Sequence, residues 1–327
     1  MRPIAIIYEN ETWMAPLFAS LDDAGAEYER VFANDLSFDP AGPAPEWSLA
    51  VNKVSPSSYL RGHARSIAVA RELLPLLEGR GVPVVNGSRA FALETSKARQ
   101  LLLLQQLGIR APAARVITDA AQAVSAAREL HFPVIVKPNV GGSGARMRRF
   151  ASPEDLAAHA AEVDLGPDGA GLVQEFIESE DGTSRRVEFL DGEYLYAIRI
   201  AGEGGDFNLC PADICRTDAA PSPVPAGNLS ACPADGVNRA GLSVTRFDPP
   251  DEAIDTVLRI TRAASIDVGG VEYMVGRQDG RIYYYDVNAT SNFVANAPEV
   301  LGFDPTARFA DFITRVARTG TKTPDPQ

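Results

Sequence analysis

The sequence predicts a mixed α/β and α+β protein built from more than one module, and three observations carry that prediction. Short apolar runs alternate with helical spacing over the first 90 residues; a second series of the same kind starts at Val116; and two hairpin patterns, over 185–200 and 271–287, come after it. At 327 residues the chain exceeds the size at which a single core keeps growing, so two or three subdomains are expected.

In the first series, residues 4–8 read as a buried parallel strand, 13–24 as a helix stopping near Gly25, and 28–32, 49–54 and 82–86 as further strands around a helix over 62–78. Residues 96–107 form a leucine-rich helix ended by Gly108. The second series gives a strand near Val116, a helix over 120–130, strands over 134–137 and 146–150, a helix over 153–163 and a strand over 172–176. A helix over 251–264 leads into the last hairpin, a closing helix covers 305–318, and the tail from Thr319 reads as frayed. Residues 202–247, rich in Gly, Pro, Asp and Ala, read as an irregular insertion. The expected division is 1–90, 91–178 and 179–320.

A net charge of −12 without basic runs argues against nucleic acid or an anionic membrane as the main partner and leaves a small molecule or peptide. The N-terminal apolar run is too short for a signal peptide or a span. The three cysteines, Cys210, Cys215 and Cys232, are an odd number in a chain large enough not to need staples, which fits a reducing cytoplasm. A zinc site there would lack its fourth ligand unless Asp213 or a distant histidine joined; ordinary buried thiols fit better.

The last hairpin carries three oxygen-bearing side chains, Glu272 on one strand and Asp286 and Asn288 on the other. A two-residue turn at Asp279-Gly280 would pair Glu272 with Val287 and send it to the wrong face; a three-residue loop, Gln278 to Gly280, pairs it with Asp286. The second arrangement is expected, because facing carboxylates then hold a hard cation such as Mg²⁺ between them. Elsewhere, Lys137 ends an apolar strand ahead of Gly141, Gly142, Ser143 and Gly144, a loop whose backbone amides can face phosphate oxygens. Lys97 sits in a helical first turn, where the dipole disfavours it. The connector Gln174, Glu175, Phe176 and Ile177 can offer backbone groups to a base edge under apolar cover. Ser57, Ser58, Arg61 and His63 lie at a strand-to-helix corner of the first module, where open sheets bind ligands. His131 and His159 read as surface or core residues.

Taken in order, these motifs resemble the ATP-grasp superfamily, in particular RimK-like amino-acid ligases and more distantly D-alanine–D-alanine ligases, over roughly residues 90 to 315 behind a small α/β pre-ATP-grasp domain. The resemblance implies an ATP-grasp fold with ATP between two α+β modules. It places Lys97 and Lys137 on the phosphates, the 141–144 loop over them, adenine on the backbone of Glu175 to Ile177, and two Mg²⁺ ions, or Mn²⁺ in their place, on Glu272, Asp286 and Asn288. Arg186 matches an arginine after the hinge, Arg199 falls near another basic position, and Asn292 lies in the loop beside the substrates. Asp181 or Glu180 replaces the ribose aspartate, whose aligned position is Ser184. Gly270 stands where D-alanine ligases carry an arginine, and Ala289 to Phe293 replace Ala-Ser-Pro-Gly.

The implied chemistry is amide formation between an acid and an amine, amino acids or peptides, through an acyl phosphate with release of ADP and phosphate. The family's frequent dimers make a homodimer an option. Rival readings are a small-molecule kinase on the same nucleotide site and a non-catalytic ATP-binding regulator.

Overall fold

The computed structural model describes residues 2–142, 144–201, 243–294 and 296–322. The first sheet is parallel, with β1 (Ile4–Tyr8), β2 (Tyr28–Phe32), β3 (Leu49–Lys53) and β4 (Val84–Val85) in the order β2-β1-β3-β4. Its central strands β1 and β3 are buried along their whole length, which is why they read as unbroken apolar runs. Helix α1 (Glu11–Asp23) covers one face and α2 (Ala64–Gly79) the other. Two short helices follow, α3 (Ser88–Glu94) and α4 (Lys97–Gln106), the latter capped by the Ser96 side chain.

A second sheet takes β5 (Ala114–Ile117), β6 (Val134–Pro138), β7 (Arg148–Phe150) and β8 (Gly171–Glu175) in the order β5-β8-β6-β7, all antiparallel. The helix expected over 120–130 is instead a single α-turn, α5 (Ala123–Ala126), between two 3₁₀ turns. Its buried side consists of Ala123, Ala127 and Leu130, too little apolar area to hold a straight helix of that length. Helix α6 (Pro153–His159) closes the unit.

The third sheet contains β9 (Thr183–Leu190), β10 (Glu193–Ala201), β11 (Ser243–Arg246), β12 (Val268–Val275) and β13 (Ile282–Asn288), antiparallel in the order β11-β10-β9-β12-β13. β11 lies within the stretch read as irregular; its alternation is too short to register in sequence, and pairing with β10 fixes it. Helix α7 (Asp251–Ala264) packs on one face of this sheet through Val257 and Ile260. On the other face Tyr196, Ile198 and Ile200 share a core with the first sheet and α9 (Pro305–Thr319), which follows the short α8 (Ala297–Leu301). Beyond α9 the chain is pinned rather than frayed as far as Lys322, whose ammonium donates to Val84 O and pairs with Asp267. Among the described residues no helix is long and apolar enough to cross a membrane.

Two β-bulges set the registers that matter. The β9–β10 hairpin turns on Asp191-Gly192, both at positive φ, but an extra residue at Leu195 shifts the pairing so that Arg186 faces Ile198 and Arg199 faces Arg185. The β12–β13 hairpin closes on a four-residue loop, with Gly276 N–H donating to Arg281 O, and Val275 pairs with Ile282. An extra residue at Tyr285 then brings Glu272 opposite Asp286. The expected pairing is therefore present, reached by a longer loop plus a bulge rather than by the three-residue loop.

Candidate active site

β13 is an edge strand, and side chains from the preceding helices occupy its open side. Gln100 donates from Nε2 to Val287 O and accepts the Val287 N–H, at 2.8 and 3.2 Å. Glu94, buried, accepts the Ala289 N–H, and Asn86 donates to the carbonyls of Val268 and Ala289. These bonds satisfy an edge that would otherwise present unpaired groups and fix the strand that carries Asp286 and Asn288.

Cross-strand partners share a face, so the Glu272 and Asp286 carboxylates lie side by side. Each is held by a cation: Lys97 pairs with Asp286, and the Arg186 guanidinium pairs with Glu272 at 2.9 Å. Tyr285 donates its hydroxyl to the other oxygen of Glu272 at 3.0 Å and meets Ser184 Oγ. The bulge permits this, since it lets Tyr285 and Asp286 face the cleft together. Burial pushes the Glu272 carboxyl up, over the opposing pull of Arg186. Burial acts on Asp286 in the same sense but is outweighed by Lys97 and then Lys137, which hold it below the usual carboxylate range.

Lys137, at the end of β6, makes no ion pair among the described residues; burial, and then the nearby Lys97, push its ammonium down to about 8. The loop after it starts from Asn139, whose backbone carbonyl accepts the Lys97 N–H and whose Oδ1 accepts from Ser96 Oγ and the Ala98 N–H. The glycine loop is thereby tied to the helix that carries Lys97. A Cβ added at Gly141 or Gly142 would come 3.5 Å from Tyr59 Oη or 3.7 Å from Ser57 Cβ of the first module.

These groups line a cleft of about 400 Å³. Apolar side chains, Ile135, Met147, Phe176, Ile177 and Met274, line the cleft as well, and Gln174 Oε1, also on its wall, is buried without a partner. In the connector, the Glu175 and Phe176 N–H groups are spent on the carbonyls of Ala113 and Pro133. The Ile177 N–H has no partner among the described residues. Two paired carboxylates and Asn288, whose Nδ2 is buried and unpartnered, form a hard-oxygen set that fits Mg²⁺. Among the described residues no group of three or more His, Cys, Asp or Glu side chains could hold a metal, so ligand or water oxygens would complete the shell.

The model of RimK-like ATP-grasp domains matches residues 94–211. That match covers little more than a third of the chain. The fold of the described residues is that of ATP-grasp proteins. D-cycloserine synthetase DcsG superposes with a TM-score of 0.68 at 16% identity, covering 96% of this chain and 99% of that one. The ATP-grasp ligase PsnB, complexed with a minimal precursor, gives 0.66 at 17%, covering 97% and 100%. In sequence, the D-alanine–D-alanine ligase of Ectopseudomonas mendocina (strain ymp) is 37% identical over 126 residues, 38% of this chain and 39% of that protein. A formate-dependent phosphoribosylglycinamide formyltransferase of Synechococcus sp. (strain RCC307) is 31% identical over 189 residues, 55% and 47%. The chain thus spans less than half the length of these curated relatives.

Within the ATP-grasp frame the cleft gathers Lys97, Lys137, Gly141, Gly142, Gly144, Gln174 to Ile177, Arg186, Glu272, Asp286, Asn288 and Asn292. Arg199 and Asp181, which the resemblance assigns to the site, are not brought there. Arg199 faces Arg185 on the α7 side of the sheet, stacked 5.0 Å from Phe247, because the Leu195 bulge turns it away. Asp181 is consumed by its own turn, accepting from Ser179 and Thr183 and pairing with Arg185 at 2.8 Å. Glu178 lines the cleft instead, held by Arg149 and Arg277. In the first module Ser57 reaches the cleft, whereas Ser58 is buried with an unpartnered Oγ. Arg61 and His63 bind the buried Glu9 behind the wall, Arg61 stacking on Trp13. His131 accompanies Glu175 at the surface, and His159 lies on α6. Ser143 and the cysteines Cys210, Cys215 and Cys232 lie outside the described residues.

Sequence reading missed Glu94, Glu188, Lys53, Tyr285 and Asn139. All but the last two are charged residues inside apolar runs, a signal that could have singled them out as buried and paired.

Proposed function

We propose that this chain is an ATP-dependent carboxylate–amine ligase that forms an amide or peptide bond and releases ADP and phosphate. One observation carries the reading. Glu272 and Asp286 face each other across β12 and β13, clamped by Arg186 and Lys97, in a cleft that Ile135, Met147, Phe176, Ile177 and Met274 also line.

In this reading residues 1–90 form the pre-ATP-grasp domain, 91–178 the central and lid module, and 179–320 the C-terminal module. The Ile177 N–H and the Gln174 carbonyl meet the adenine edge, and Glu178 rather than Asp181 takes the ribose. Lys97 leaves Asp286 for the phosphates, where Lys137 and the glycine loop join it. Glu272, Asp286 and Asn288 would hold two Mg²⁺ ions, which supply charge neutralisation at the transferring oxygens. Arg186, released from Glu272, faces the reacting carboxylate. That carboxylate attacks the γ-phosphorus and ADP leaves; the amine nitrogen then adds to the acyl carbon, sheds a proton, and phosphate departs. The kinship to a D-alanine–D-alanine ligase and the likeness to D-cycloserine synthetase support ligation over phosphoryl transfer to a hydroxyl.

The test is nucleotide product analysis with Mg-ATP and paired amino acids. ADP and phosphate released only when acid and amine are both present is the expected result. AMP and pyrophosphate would exclude the mechanism, and a phosphorylated product formed without amine would reassign the protein as a kinase.

A further inference from the structure

The turn at 290–293 is held from two sides. From the first module, the Lys53 ammonium donates to Ser291 O, and the Val54 carbonyl accepts from Thr290 Oγ1. From the third sheet, Glu188 Oε1 accepts from Ser291 Oγ at 2.8 Å and from Arg186 Nε at 2.6 Å, while the Val294 N–H donates to Tyr196. Phe293 sits at φ +57, closed by its own N–H donating to Ser291 Oγ. Within this frame Asn292 differs from its neighbours. It lines the cleft as they do, but its Oδ1 is buried without a partner.

Burying Lys53 and Glu188 to hold one turn is costly, because ions lose hydration that a neutral turn would not have to give up. The cost is intelligible if the turn must be held rigidly. A buried carbonyl oxygen facing a cleft also calls for a donor from the ligand. Arg186 is the cation at this end, so the carboxylate has its partner, and the group still to be recognised is the one that brings N–H donors.

We propose that Asn292 reads the incoming primary amine through its side-chain carbonyl, and that Lys53 and Glu188 are positioning residues that aim it by fixing Ser291. This rests on the ligase reading and assigns its amine subsite. Lys53 does not line the cleft, so it acts through the turn and not on the substrate.

The experiment uses the full chain, hydroxylamine as the amine and the twenty proteinogenic L-amino acids as a mixed acid. Hydroxamate formation gives the hydroxylamine KM, and a fluorescent ATP analogue gives Mg-nucleotide affinity. In Asn292→Leu and Lys53→Met the hydroxylamine KM is expected to rise about tenfold, as for one lost hydrogen bond to a neutral donor, with nucleotide affinity within about twofold. Asn292→Asp, which keeps the acceptor, should recover most of the effect. If Lys53→Met melts early, Ser291→Ala tests the same linkage, since it removes the hydroxyl that joins Glu188 to the turn. Hydroxylamine KM values within twofold of the parent, or an equal loss of nucleotide affinity, would overturn the inference while leaving the ligase reading in place. A parent protein with no acid-dependent ADP release would overturn both.

Discussion

Placing a methyl group at Gly270 should disable the site without unfolding the protein. A Cβ there would lie 2.6 Å from Arg186 Nε, 2.8 Å from Arg186 Nη2 and 2.8 Å from Glu188 Oε1. Gly270 lies within β12 and is not among the positive-φ residues, so alanine meets no backbone strain and the guanidinium must give way. That guanidinium spans Glu188 at 2.6 Å, Glu272 at 2.9 Å and Ser291 at 3.4 Å, and it cannot retreat without stretching the first two. Loss of one charge-assisted bond costs about 2 kcal/mol. For a chain of this length that is about 3 °C in Tm. A displacement near 1 Å at the reacting centre costs turnover about a hundredfold. Gly269→Ala is the control: its Cβ would fall 2.1 Å from the Asn288 carbonyl, which is backbone and cannot swing aside, so its Tm should fall further. Thermal melts with and without Mg-ATP, together with ADP release, separate the two. Turnover of Gly270→Ala within threefold of the parent, or a larger Tm loss than for Gly269→Ala, would refute the placement of Arg186.

Asp286→Asn should lower turnover by about a thousandfold, since it removes the partner of Lys97 and, in the proposed site, a metal carboxylate; undiminished ADP release would remove Asp286 from the mechanism. Lys137 titrates near 8 in the free protein against an ordinary 10.5, so the folded chain binds fewer protons than the unfolded one between those values. Stability of the free protein should therefore rise with pH from about 8 toward 10.5, and Mg-ATP binding above pH 8 should be accompanied by proton uptake as phosphate restores the charge. Calorimetry in buffers of different ionisation enthalpy measures that uptake, and its persistence in Lys137→Met would assign it elsewhere. Asp181→Asn should cost about 1 kcal/mol through its turn and leave the ATP KM within twofold; a tenfold rise would return the ribose to Asp181.

The strands, most helices and the order of the nucleotide motifs were legible in the sequence because each rests on local signals: apolar periodicity, Gly and Pro punctuation, a cation at a strand end. The register was not, and register decides which side chains enter the cleft. Continued without the Leu195 bulge, the pairing of Tyr194 with Phe189 would place Arg199 opposite Ser184, on the cleft face. Continued without the Tyr285 bulge, the pairing of Val275 with Ile282 would set Glu272 against Tyr285 and turn Asp286 to the far face. The same device therefore removes one expected residue and delivers another, and neither bulge has a sequence signature, since no glycine marks Leu195 or Tyr285. Both hold because packing prefers them: Tyr273 and Tyr284 are buried against α7, and Tyr196, Ile198 and Ile200 against α9 and the first sheet. A one-residue slip in either hairpin would expose these rings and aliphatics and bury the charges in their place. The hydrophobic cores on the two faces of the third sheet thus select the alignment that sets two carboxylates side by side, and the apolar contacts that stabilise the fold are the same ones that build the carboxylate pair.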